Sequence, residues 1–373
     1  MDEHELQGWF ENKFAALTGY IPFAWQKRLH HRLSRGEIPS AIDLPTGLGK
    51  TSVLAIWLLS RAIQDNLPRR LIYIVDRRTV VDQATSEAVK LRNALRNKAD
   101  LSDLRSRLGL NDDLPLIVST LRGRFADNRE WLSDPTAPAI IVGTIDMIGS
   151  RILFEGYGVS RGMRPFHAGL LGADTLAVLD ESHLCPPFEA LLRSVAEDRH
   201  LHPLEGEPRQ IIPKFRLLPL SATGRSDHLD AFRLEPQDCT VDDLVKKRLM
   251  AEKKLKVVRL DPYADLVAHL VDFAWKMGGT NNRVLIFCDL PADAEKVERA
   301  LREQGKREKV VLDTNLLVGA RRVRERESLA FWLEKNGFLA GSQVKRANPA
   351  FLIATSAGEV GIDVDADDMT CDL

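Results

Sequence analysis

Asp43-Leu44-Pro45-Thr46-Gly47-Leu48-Gly49-Lys50-Thr51 is the stretch from which the rest of the chain can be read. Between Gly47 and Gly49 the backbone can turn tightly enough to aim several N–H groups at one chain of phosphates. Thr46 and Leu48 complete that loop. Lys50 brings a point charge toward the terminal phosphates, and the Thr51 hydroxyl is placed to hold Mg²⁺. The apolar run Val53-Leu54-Ala55-Ile56-Trp57-Leu58-Leu59 predicts the helix whose N-terminus faces the anion. The general loop pattern has Gly where this chain has Leu44. The expected cofactors are ATP and Mg²⁺.

A second, acidic stretch sets the chemistry. Thr175-Leu176-Ala177-Val178-Leu179 is a short apolar run of the kind buried in a parallel sheet. It delivers Asp180-Glu181-Ser182-His183 to the carboxyl end of the sheet, where ligands bind in open α/β folds. Asp180 is placed to hold Mg²⁺, directly or through water. Glu181 is placed to orient and deprotonate an attacking water. Either stretch alone is compatible with an ordinary solvated turn. In this order, each after a buried strand, they predict ATP hydrolysis with Lys50, Asp180 and Glu181 as the catalytic set.

The bulk properties set limits. The chain has 373 residues, 44% hydrophobic and 28% charged, which suits a soluble protein of two ordinary domains. Its 52 Lys and Arg against 53 Asp and Glu give a net charge of −1. No global basic field draws in nucleic acid, so local patches must. Cys185, Cys239, Cys288 and Cys371 are scattered, which fits idle thiols in a reducing cytoplasm. The acidic N-terminus has no signal-peptide pattern, and no apolar run approaches the ~18 residues of a membrane span. A cytoplasmic protein with no membrane partner is expected. No coiled-coil or apolar dimer stripe stands out, so a monomer is expected.

Apolar runs alternate with helix-like periodic segments. Strands are predicted over 40–43, 71–75, 116–119, 140–143, 176–179 and 216–220, with helices over 52–64, 80–95 and 188–196. That alternation predicts βαβ units and a parallel sheet covered on both faces. Residues 225–256 are polar and charged, and read as the crossover into a second α/β series. There, strands are predicted over 256–260, 284–288, 309–313 and 351–355, and helices over 264–276 and 292–302. The expected fold class is α/β, with two RecA-like parallel-sheet lobes in tandem at 1–235 and 236–373.

The remaining motifs follow the order found in superfamily 2 helicases, which the chain resembles along nearly its whole length. Phe23 and Gln26 precede the phosphate loop, where the resemblance implies an aromatic and a Gln that hold adenine. Leu71-Ile72-Tyr73-Ile74-Val75-Asp76-Arg77-Arg78-Thr79, Thr120-Leu121-Arg122-Gly123 and Ile141-Val142-Gly143-Thr144 resemble the three strand-contacting motifs. The resemblance implies nucleic-acid contacts at Arg77, Arg78, Thr120, Arg122 and Thr144, made to the backbone without reading sequence. Ser221-Ala222-Thr223 resembles the coupling motif, through the hydroxyls of Ser221 and Thr223. Ile353-Ala354-Thr355-Ser356-Ala357-Gly358-Glu359-Val360-Gly361-Ile362-Asp363 resembles the fifth motif. That implies Thr355 on the nucleic acid, and Gly361 and Asp363 toward the nucleotide.

Asp180-Glu181-Ser182-His183, the Thr-Leu-Arg-Gly segment, and Glu359-Val360-Gly361-Ile362-Asp363-Val364-Asp365 together resemble the helicase portion of the CRISPR-associated helicase–nuclease of type I systems. The cluster at 317–326 is also similar. The helicase motifs begin near the N-terminus, which resembles the type I-G (I-U) variant with its nuclease domain C-terminal. The resemblance implies a 3′-to-5′ translocase on single-stranded DNA, recruited by an RNA-guided type I surveillance complex. No His is followed by Asp, so nuclease activity is not assigned. Only ten residues follow Asp363, before the arginine-bearing sixth motif of the superfamily. The second lobe therefore reads as truncated, and this chain is expected to bind ATP but hydrolyse it weakly. Two other readings stay open: a superfamily 2 DNA or RNA helicase of another branch, and an ATP-binding scaffold.

Overall fold

A computed structural model describes residues 2–76, 78–122, 129–198, 213–222, 230–252, 254–261, 264–278, 282–318, 323–339, 342, 344–355 and 364–372. The chain forms two compact units, Met1–Ala251 and Glu252–Leu373.

The strands of the first unit are β1 (Ala41–Asp43), β2 (Arg70–Val75), β3 (Ile117–Leu121), β4 (Ala139–Thr144), β5 (Thr175–Leu179), β6 (Arg216–Ser221) and β7 (Ala231–Arg233). They lie parallel in the order β3-β4-β2-β5-β6-β1-β7. Strand β2 shows why the sheet is covered on both faces. Its residues alternate: Leu71, Tyr73 and Val75 enter one core with Phe10, Trp25 and Trp57, while Ile72 and Ile74 enter the other with Trp131, Leu192 and Phe215. A strand with both faces buried reads as an unbroken apolar run, as β2 and β5 do.

The first core is roofed by α1 (Glu3–Thr18), α2 (Ala24–Ser34), α3 (Val53–Arg61) and α4 (Arg78–Asn97). In α3 every residue from Val53 to Ser60 is buried, so this helix needs no polar face. It follows a short 3₁₀ turn, Lys50–Ser52, and so starts directly from the phosphate loop.

The second unit has a four-stranded parallel sheet of β8 (Arg283–Phe287), β9 (Asp313–Leu317), β10 (Ala350–Ala354) and β11 (Asp368–Cys371), ordered β11-β8-β10-β9. The helices Leu266–Met277, Pro291–Glu308 and Val323–Lys335 accompany it. Strand β10 again serves two cores, with Phe351 and Ile353 in one and Ala350, Leu352 and Ala354 in the other.

Three expectations change. The predicted strand at 309–313 gives way to β9 at Asp313–Leu317. Lys309 takes a left-handed conformation that ends the preceding helix, so Val310 and Val311 turn outward. No strand forms at 256–260, where Val257 and Val258 are exposed. The helices Pro236–Val241 and Asp243–Leu249 belong to the first unit, so the compact division falls after 251 rather than 235. The ion pair of Asp238 with Arg28, at 2.5 Å, holds them there. Among the described residues no helix is long and apolar enough to cross a membrane.

Candidate nucleotide and strand site

The carboxyl edge of the first sheet carries two sets of residues. Strands β5, β6 and β1 are neighbours and end at Asp180-Glu181, Ser221 and the phosphate loop. Strands β3, β4 and β2 are neighbours and lead to Thr120 and Arg122, Thr144, and residues 76–79. The sheet order thus sorts the candidate nucleotide residues from the candidate strand contacts.

The loop between β1 and α3 is shaped by Gly47 and Gly49, whose φ of 78° and 75° lie in the left-handed region. Leu44 and Leu48 are wholly buried. The Leu44 side chain explains the departure from the usual Gly, because here it fills the core. Leu48 can offer a ligand only its backbone. Thr46, Gly47 and Gly49 are exposed.

Lys50 Nζ donates to Glu181 Oε1 at 2.9 Å, which joins the loop to the acidic turn. Glu181 itself is left-handed, at φ 46°. Its other oxygen, Oε2, is buried with no hydrogen bond, and His183 Nδ1 lies 3.4 Å from it. Asp180 is fixed from two sides. Its Oδ1 accepts from the Glu181 N–H at 3.1 Å, and its Oδ2 accepts from the Tyr73 hydroxyl at 2.8 Å. Burial raises the Asp180 pKa, with the Glu181 charge adding to it, while the Tyr73 hydrogen bond and Lys50 oppose the rise. The Tyr73 hydroxyl is pushed well above the ordinary phenol range, first by burial and then by the Asp180 charge; hydrogen bonding with Thr51 works against this.

Tyr73 thus joins the candidate site, although motif reading leaves it unassigned. Its signal is a phenol in the otherwise aliphatic run Leu71-Ile72-Tyr73-Ile74-Val75, on the strand beside β5.

Gln26 is buried against the loop. Its Oε1 accepts from the Phe23 N–H at 2.8 Å, and its Nε2 donates to Ser52 Oγ at 2.8 Å. Both ends of the amide expected to read adenine are engaged within the chain. Phe23 caps α2 and packs partly into the first core.

On the other half of the edge, Thr120 Oγ1 and Thr85 Oγ1 are 3.1 Å apart, and Arg122 pairs with Asp82. Both partners lie on α4. Thr144 is buried as the residue that starts the helix Ile145–Ile152. Ser221 is buried at the end of β6, beside Asp43 of β1. In the second unit Thr355 is buried, and its N–H donates to the Leu317 carbonyl at 3.1 Å. Arg77, Thr223, Gly361, Asp363 and the side chain of Arg78 lie outside the described residues.

The donors present fit a magnesium nucleotide: an exposed loop with two left-handed glycines, a lysine, a hydroxyl, a fixed carboxylate and an unengaged carboxylate oxygen. Among the described residues no three His, Cys, Asp or Glu side chains group as a metal site. A Mg²⁺ held through phosphates needs only one or two protein carboxylates.

Two parallel sheets, the first with a phosphate loop after β1 and an acidic turn after β5, define a helicase-type pair of RecA-like lobes. The chain belongs to the family described as type III restriction enzyme, res subunit, which matches residues 22–223. Solved structures similar in fold include T. fusca Cas3, with TM-score 0.60 and 18% identity over 98% of this chain and 43% of that one. The DUF1998 helicase MrfA bound to DNA has TM-score 0.58 and 14% identity, over 94% and 42%. The Mycobacterium smegmatis helicase Lhr bound to ssDNA and AMP-PNP has TM-score 0.54 and 17% identity, over 97% and 42%. The chain spans less than half the length of each of these three. No curated protein matches it.

Proposed function

We propose that this chain is the ATP-dependent motor of a superfamily 2 helicase that moves 3′ to 5′ along single-stranded DNA during CRISPR interference. The observation that carries the motor reading is the sorted sheet edge, with nucleotide residues on β5-β6-β1 and candidate strand contacts on β3-β4-β2. Ser221 stands on the strand between the acidic turn and the phosphate loop, where a change at the nucleotide can be felt.

When bound, ATP and Mg²⁺ supply the transferable phosphoryl group and a charge that offsets its oxygens. The chain's own residues do the rest. Lys50 turns from Glu181 to the phosphates. Glu181, whose Oε2 carries no hydrogen bond, would accept the proton of the attacking water. Tyr73 donates to Asp180 and favours its ionised form, in which Asp180 would hold Mg²⁺. Thr51 would offer its hydroxyl to the metal.

The CRISPR setting is supported by the Asp-Glu-x-His turn and the Thr-Leu-Arg-Gly segment. The family description favours a second reading, the motor of a restriction-type enzyme, for which we infer duplex DNA as the track. ATPase assays with single-stranded DNA, duplex DNA and RNA separate these. Stimulation by single-stranded DNA alone supports the proposal. Stimulation by duplex DNA favours the restriction reading, and stimulation by RNA alone points to another helicase branch.

A further inference from the structure

The helices Pro236–Val241 and Asp243–Leu249 form a strap that meets the candidate site midway and at its far end. Its root is the fully buried Asp238, which pairs with Arg28, while Val245 is buried beneath the second helix. Midway, Asp242 Oδ2 accepts from the Ala24 N–H at 2.7 Å, next to Phe23 on the expected base side. At its far end, Arg248 donates to the carbonyl of Gly47 in the phosphate loop.

That last contact falls on the exposed tip of the loop, beside the buried Leu48. Among the described residues, none beyond its two chain neighbours has a heavy atom within 4 Å of where a Gly47 Cβ would be. Gly47 is exposed and left-handed, a residue type whose backbone is costly to hold in one conformation. Peptide geometry ties each carbonyl's direction to the N–H that follows it. Fixing the Gly47 carbonyl therefore fixes the neighbouring N–H groups on which an anion would sit.

We propose that Arg248 is a positioning residue of the nucleotide site. It holds the Gly47 carbonyl so that the loop's N–H groups are set before phosphate arrives. The strap is also the last segment of the first unit before the chain enters the second. The inference rests on the nucleotide reading of the site.

The test is binding of fluorescent ADP and of a fluorescent non-hydrolysable ATP analogue to the full chain, with melting temperature measured in parallel. Arg248→Ala is expected to weaken both nucleotides about equally, by about tenfold, the loss typical of a charge-assisted hydrogen bond. Its melting temperature stays within a degree or two of the parent, and Arg248→Lys recovers most of the affinity. Three results would overturn the inference: unchanged affinity in Arg248→Ala, a loss confined to the ATP analogue, or no recovery with lysine. If the unmodified chain binds neither nucleotide, the nucleotide reading itself fails, and Lys50→Ala then changes nothing.

Discussion

Lys50 Nζ stands 2.9 Å from Glu181 Oε1, so the phosphate loop and the acidic turn are joined across the strand that separates β1 from β5. The pair sets up a competition. In the proposed function, phosphate oxygens would draw Lys50 away and free Glu181 Oε1 as the substrate seats. Lys50→Ala is expected to weaken ATP binding at least about tenfold, because a charge-assisted contact is lost. It should also lower the stability of the nucleotide-free protein by about 1–3 kcal/mol, since the half-buried Glu181 carboxyl loses its hydrogen-bond donor. Isothermal titration and urea unfolding check the two halves separately.

Tyr73→Phe removes the donor that holds Asp180. Because that hydrogen bond lowers the Asp180 pKa, its loss raises the pKa further. A metal-holding carboxylate must be ionised. The acid limb of the pH–rate profile should therefore move to higher pH, and half-saturation by Mg²⁺ should rise. A profile that superimposes on the parent's would refute the role given to Tyr73.

Asp180→Asn tests the same carboxylate through stability. The folded-state pKa lies above the unfolded one, so below the unfolded value the group costs nothing, and above the folded value the ionised form opposes folding. The asparagine protein should thus melt higher than its parent at pH 7–8, by about 2–4 °C for each kcal/mol relieved. That advantage should disappear as pH falls toward the ordinary aspartate range, which a calorimetric pH series can show.

His30, buried on α2 and stacked on Phe10 at 4.1 Å, has no hydrogen bond at Nε2. Burial, with the neighbouring His31, takes its pKa down from 6.5 to about 3. The unfolded chain therefore binds a proton below pH 6.5 that the folded chain refuses until about pH 3. Stability is unaffected above pH 6.5 and falls by up to about 1.4 kcal/mol per pH unit below it. His30→Leu should flatten this acid limb. An unchanged slope between pH 6.5 and pH 4 would count against it.

Much of the first unit was legible because its strands are buried on both faces. Runs such as 71–75 and 176–179 have no other soluble explanation, and the phosphate loop and acidic turn follow directly from them. The second unit was harder. Val310-Val311 has the stronger strand composition, yet the sheet took Asp313-Thr314-Asn315-Leu316-Leu317, since Lys309 ended the helix and the turn consumed the valines. The strap at 236–249 was read as a linker from its charges, while the residue that anchors it, Asp238, is buried and acidic. Its partner Arg28 is 210 positions away in sequence, a pairing that no local pattern carries. Gln26 and Thr120 were legible as positions, but the partners of their side chains, Ser52 and Thr85, follow only from packing.

In the proposed function Glu181 activates water for attack on a nucleotide held by Lys50. Single-turnover hydrolysis of pre-bound MgATP, with single-stranded DNA present, tests it most directly in the parent chain and in Glu181→Gln. The glutamine protein is expected to bind MgATP within about threefold of the parent and to hydrolyse it at least about 100-fold more slowly, the scale of a general base. Equal rates in the two proteins would contradict it.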